Sequence, residues 1–131
     1  MKTLVDTSIW IGILRGEIEV DRVAYRSYVT CGPVLQELLQ GFEEDPASHR
    51  YAHLFMNVPR ISDPLPSDLF ATAADIYRQG RRRGLTIRST MDCLIAAIAL
   101  DNGVTLWHRD RDFDSIAQFT NLKVHRSERA N

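Results

Sequence analysis

The chain has 131 residues, the usual size of one domain, so a single core over residues 1–131 is expected. Hydrophobic residues make up 44% and charged residues 25%, which excludes a disordered or collagen-like chain. Lys and Arg total 16 against 17 Asp and Glu, a net charge of −1, so overall charge does not announce a nucleic-acid binder. The longest apolar run, Leu94 to Leu100, is far short of the roughly 20 residues that span a bilayer. Asp6 interrupts the N-terminus before an apolar signal segment can form. Cys31 and Cys93 fit neither a disulfide framework nor a C-x-x-C pair. These features predict a soluble cytoplasmic protein with free thiols and no membrane partner. Lys2 and Lys123 are the only lysines, so the basic side is nearly all arginine, whose planar fork suits phosphate.

In chain order, Lys2 to Asp6 reads as a short buried strand. Asp6-Thr7-Ser8 can cap a helix that begins near Ile9 and stops at Gly16. A second helix is predicted over Glu17 to Tyr28 and a strand over Val29 to Cys31. Pro33 suits the first turn of a helix carrying Leu35, Leu38, Leu39 and Phe42, and Glu43 to Pro46 breaks it. Ser48 to Asn57 follows as a helix, and Arg60-Ile61 as a brief strand. Ser67 opens a long helix that reaches Arg83 before Gly84. Ser89 or Thr90 caps the next, in which Met91, Leu94, Ile95 and Ile98 keep helical spacing until Asn102-Gly103. Val104 to Trp107 reads as a strand, Asp112 to Phe119 as a short helix and Leu122 to Val124 as a last strand. Short apolar strands alternating with helices predict an α/β fold: a three-layer α/β/α sandwich around a short, mainly parallel sheet.

Four acids fall at informative places in that pattern. Asp6 ends the first strand and Asp110 follows the strand near Trp107. Glu37 and Asp92 lie early in helices. A parallel sheet gathers strand C-termini and helix N-termini on one edge, where such folds bind ligands. Two ionised carboxylates about 4 Å apart repel by on the order of 4 kcal/mol at an effective dielectric near 20. Either some stay protonated or a cation neutralises them. Oxygen ligands without His or Cys favour Mg²⁺ or Mn²⁺, the chemistry of phosphodiester hydrolysis.

The segments Leu4-Val5-Asp6-Thr7-Ser8, Arg88-Ser89-Thr90-Met91-Asp92-Cys93-Leu94-Ile95-Ala96-Ala97 and His108-Arg109-Asp110-Arg111-Asp112-Phe113, with Glu37 in a Leu-rich helix, resemble the PIN domain. More narrowly, they resemble the VapC-type ribonuclease toxins of bacterial toxin–antitoxin pairs. The resemblance implies a PIN-like α/β/α sandwich and a Mg²⁺- or Mn²⁺-dependent endoribonuclease. Its catalytic quartet would be Asp6, Glu37, Asp92 and Asp110, with the metal on Asp6, Asp92 and Asp110. Ser8 is similar to a hydroxyl residue that steadies the first Asp, and Asp112 to an accompanying acid. The resemblance also implies a small antitoxin partner, a homodimer and a structured RNA substrate, tRNA before messenger or ribosomal RNA. An alternative is a PIN-like RNA-binding or regulatory module that does not cleave.

Among the remaining candidates, Arg78, Arg81, Arg82, Arg83 and Arg88 form a basic cluster. Arg88, Arg81 and Arg82 are the expected RNA contacts, Arg88 being nearest to Asp92 in sequence. His49 and His53 have the spacing of helical zinc ligands but lack the intervening Glu. An aspartyl-phosphate phosphatase wants a second Asp where Ser8 stands. An EF-hand starting at Asp110 would need Gly and Glu where Ser115 and Asn121 stand. Trp10, Trp107 and Phe113 are expected in packing, and His108 as the end of a strand.

Overall fold

The computed structural model describes residues 1–42 and 46–127; the break expected from Glu43 to Pro46 falls mostly on residues outside these. In chain order the described residues form β1 (Thr3–Val5), α1 (Thr7–Leu14), α2 (Arg22–Tyr25), β2 (Tyr28–Val29), α3 (Gly32–Gly41) and α4 (Pro46–Met56). Then come α5 (Asp68–Arg82), α6 (Thr90–Asn102), β3 (Thr105–His108), α7 (Arg111–Ala117) and β4 (Val124–Arg126). The sheet order is β2-β1-β3-β4, and every pairing is parallel. Leu4 lies opposite Val29 on one side and Leu106 on the other. All three are buried, as parallel strands covered on both faces require.

The chain leaves β1 toward β2 and later returns past β1 to β3. Right-handed crossovers in opposite directions put helices on opposite faces, giving the expected α/β/α sandwich. The reversal also opens a crevice beyond the carboxyl ends of β1 and β3. Helix α5 buries Leu69, Ala73, Ile76 and Gly80 along one stripe. Helix α6 is buried from Ile95 through Ala99, so it is an internal helix rather than an amphipathic surface one. Gly103 ends α6 at φ 62°, a conformation that glycine adopts without strain. Trp10 sits in the core, edge-on to Tyr28 and Phe55.

Four elements depart from the sequence expectation. The helix predicted over Glu17 to Tyr28 is reduced to Arg22–Tyr25. The amides of Glu17 and Ile18 both donate to the Gly12 carbonyl, at 2.8 and 3.2 Å, folding the chain back on α1. Asp21 then caps a new helix by accepting from the Val23 amide. The second strand is Tyr28–Val29, because Cys31 already precedes α3 as its N-cap. Thr30 makes a single bridge with Arg60, which is what the brief strand at Arg60-Ile61 amounts to. The last strand is Val124–Arg126, two residues later than expected, in register with Leu106 to His108.

Candidate active site

The crevice between β1 and β3 is built by hydrogen bonds that begin where each strand stops. The Asp6 amide still donates to the Trp107 carbonyl at 2.9 Å, so Asp6 is fixed to β3 before the chain turns into α1. Its Oδ2 accepts from the Ser8 amide at 3.1 Å and the Ser8 hydroxyl at 2.6 Å, capping α1. Ser8 Oγ accepts in turn from the Arg109 amide at 3.3 Å, which ties the ends of the two strands together. Thr7 Oγ1 donates to Glu37 Oε1 at 3.2 Å, drawing the second turn of α3 toward the start of α1.

On the β3 side, His108 ends the strand fully buried. Its Nδ1 accepts from the Asp110 amide at 3.0 Å, curling the chain so that Asp110 caps α7 through the Asp112 amide at 3.0 Å. Burial holds the His108 imidazole below its ordinary pKa, against the opposing pull of Asp114. The neutral ring therefore carries its proton on Nε2, 3.5 Å from Asp114 Oδ1. Asp112 Oδ2 accepts from the amides of Arg88 and Ser89 at 2.9 and 3.1 Å, docking the loop that leads into α6. Ser89 Oγ accepts from the Asp92 amide, and this cap presents Asp92 to the same crevice.

Carboxylate oxygens of Asp92, Asp110 and Asp112 all lie within 4.8 Å of one another. Asp6 and Asp92 are each only 5% exposed. Burial, then the charges of Asp110 and Asp6, a hydrogen bond shared with Asp110 and the charge of Asp112 push Asp92 up to about 9. Asp6 is raised chiefly by burial, against the lowering effect of Ser8 and Thr7, with a smaller push from Asp110. Glu37 is raised by burial and by the charges of Asp6 and Asp110, offset by Thr7. Five acids spread from position 6 to position 112 thus gather around one crevice.

The tightest trio contains Asp112, where the sequence reading expects Asp6 beside Asp92 and Asp110. Asp6 has turned one oxygen to the Ser8 amide and hydroxyl. A hard divalent cation suits this donor set, because Asp92 Oδ2 is buried with no hydrogen-bond partner among the described residues. A cation is the natural partner for such an oxygen amid like charges.

Arg88 lines a groove of about 970 Å³ beside the acids, together with Ser8 and Asp110. Arg81 and Arg82 are not in its walls. They stay at the end of α5, Arg81 over the Tyr77 ring and Arg82 4.0 Å from Asp75. Thr7 and Arg109 were missed as contributors. Their only signal in the sequence is adjacency to Asp6 and Asp110, and their contacts, to Glu37 and Ser8, are long-range.

Residues 3–118 match the PIN domain family. The chain belongs to that family, as a VapC-type member. Ribonuclease VapC11 of Mycobacterium tuberculosis is 38% identical over 129 residues, covering 92% of this chain and 96% of that protein. VapC ribonuclease Mb1587 of Mycobacterium bovis matches to the same extent, at 38%. Among solved structures, VapBC2 from Rickettsia felis, bound to a DNA fragment from its promoter, superposes with a TM-score of 0.73. It shares 15% identity, over 98% of this chain and 100% of that one. DNA-bound VapBC from Salmonella typhimurium gives 0.72 at 16% identity, over 96% and 98% of the two chains. At such identities the two structures speak to the fold.

Proposed function

We propose that this chain is a Mg²⁺- or Mn²⁺-dependent endoribonuclease, the toxin of a type II toxin–antitoxin pair. The observation that carries the reading is the convergence of Asp6, Glu37, Asp92, Asp110 and Asp112 on one crevice, with Asp92 pushed up to about 9. Such crowding destabilises the empty site and favours a divalent ion. Asp6, Asp92 and Asp110 would hold that ion, with Asp112 close to Asp92 and Asp110. When bound, the ion lowers the pKa of its water and offsets charge on the phosphate. Ser8 orients Asp6 through its short hydrogen bond and opposes the burial that raises the Asp6 carboxyl. Glu37, steadied by Thr7, faces the same space and orients the attacking water. In-line attack breaks the bond from phosphorus to the 3′ oxygen and leaves a 5′-phosphate and a 3′-hydroxyl.

Arg88 is proposed as a contact to the substrate backbone, with Arg81 and Arg82 as a more distant part of the basic rim. Structured RNA, tRNA first, is the proposed substrate class. VapBC complexes among the structural neighbours support a small antitoxin as partner, and a homodimer and a cytoplasmic location complete the proposal. No helix among the described residues is long and apolar enough to cross a membrane.

The test is RNA cleavage by the purified protein with Mn²⁺ and with EDTA. Cleavage with Mn²⁺ alone, leaving 5′-phosphate ends and lost in folded Asp6→Asn and Asp92→Asn, is expected. RNA binding without any cleavage would replace the nuclease by a non-cleaving RNA-binding module.

A further inference from the structure

We propose that the arginine-lined groove is a phosphate track: it binds the RNA phosphates flanking the one that is cut, with Arg109 as its fixed anchor. The proposal rests on the nuclease reading above. The groove shares Ser8 and Asp110 with the acidic site and runs on past Arg15, Arg88, Arg109, Arg111 and Arg126. These five come from the end of α1, the loop before α6, the turn after β3, α7 and β4, so the fold assembles the wall from segments remote in sequence. Arg109 Nη1 pairs with Glu17 at 2.8 Å, and Arg126 Nη1 with Asp114 at 2.6 Å. Arg15, Arg88 and Arg111 have no carboxylate partner among the described residues. Positive charge is therefore in excess directly beside a cluster of acids.

Arg109 is preset rather than free. Its side chain is 12% exposed and crosses α1 at Gly12, where a Cβ would stand 3.2 Å from the Arg109 Cζ and 2.6 Å from the Ile18 Cδ1. The Gly12 carbonyl holds the amides of Glu17 and Ile18, which fixes the carboxylate that grips Arg109. Glu17 engages one Nη1 donor, and the other guanidinium N–H groups have no partner among the described residues. A guanidinium held this way loses little freedom when its open donors take a phosphate. An RNA strand with one phosphate against Asp110 must place its neighbours away from the carboxylates, and the adjoining groove is where attraction replaces repulsion. An acidic peptide would find the same arginines. The continuity with the acids favours the polymer that those acids cut.

The experiment is fluorescence-anisotropy titration of a single-stranded RNA dodecamer in EDTA, across a range of NaCl concentrations. Each lost phosphate contact flattens the salt dependence of log K by about 0.7 for a single strand, so Arg15→Ala/Arg111→Ala should flatten it by about 1.4. Arg109→Lys, which keeps the charge and loses the fork, should weaken binding at fixed salt, with its melting temperature confirming the fold. An unchanged slope in the Arg15/Arg111 variant overturns the proposal, as does an equal or larger drop in Arg81→Ala/Arg82→Ala at the end of α5. Equal competition by an oligoglutamate of the same charge would assign the groove to a protein segment and also overturn it. Absence of Mn²⁺-dependent RNA cleavage in the wild type would sink the nuclease reading alone, since the slope is measured without metal.

Discussion

Replacing Asp92 by Asn should make the metal-free protein more stable, the opposite of what loss of a structural cap would do. In the unfolded chain Asp92 has its ordinary value of 3.8, and in the fold it is pushed up to about 9. Between those values the folded state binds a proton that the unfolded state lacks, so stability falls as pH rises through that window. About three pH units separate 3.8 from pH 7, and at about 1.4 kcal/mol per unit the cost at pH 7 reaches about 4 kcal/mol. Asn has the same shape and never ionises. In EDTA at pH 7 the Asp92→Asn protein should therefore gain up to about 4 kcal/mol, shrinking to about half a kcal/mol near pH 4, where the unfolded carboxyl is close to half protonated. A divalent ion at a hundred times its dissociation constant adds about 2.7 kcal/mol to the wild type, narrowing or reversing the difference. Urea unfolding from pH 4 to pH 8, with EDTA and with Mn²⁺, measures all of this. A less stable Asn variant in EDTA at pH 7, or a difference that ignores pH, would refute the reasoning.

Ser8→Ala removes the 2.6 Å donor to Asp6, and a hydrogen bond to a charged group is worth about 1.5–3 kcal/mol. The Asp6 carboxyl should rise further, shifting the acid limb of the RNA-cleavage profile to higher pH; an unmoved profile would count against Ser8 as the group that offsets the burial of Asp6. Burial pushes Cys31 up to about 12 and Cys93 up to about 11, so both thiols stay protonated at pH 8. Iodoacetamide should label neither until urea unfolds the chain, and rapid labelling of the native protein would contradict their placement.

Much of the site was legible because its acids obey the geometry of parallel sheets. Asp6 follows an apolar run and Asp110 follows another, and both land at the crevice between β1 and β3 as the pattern implies. Asp92 was readable because Ser89, three residues earlier, marks the helix start. What periodicity cannot carry is contact between distant segments. The Thr7 bond to Glu37 spans 30 residues and the Arg109 bond to Ser8 spans 101, and neither leaves a trace in local spacing. The same limit explains the helix expected from Glu17: its residues suit a helix, yet the Gly12 carbonyl captures two amides and turns the chain back. Arg81 and Arg82 lie close to Arg88 in sequence. They nonetheless stay at the end of α5, ahead of the loop that leads to Arg88, and are not part of the groove wall where Arg88 stands. The order of the strands, β2-β1-β3-β4, was likewise out of reach, since it depends on which faces the long helical connection covers.

The most direct test of the central claim is calorimetric titration of the wild-type protein with Mn²⁺ at pH 7 in buffers of different ionisation enthalpy. Such a site must lose the proton that Asp92 carries in order to take the ion. Stoichiometric binding with about one proton released per ion is the expected result, with both binding and release lost in Asp92→Asn. Binding that releases no proton, or that survives unchanged in Asp92→Asn, would contradict the account.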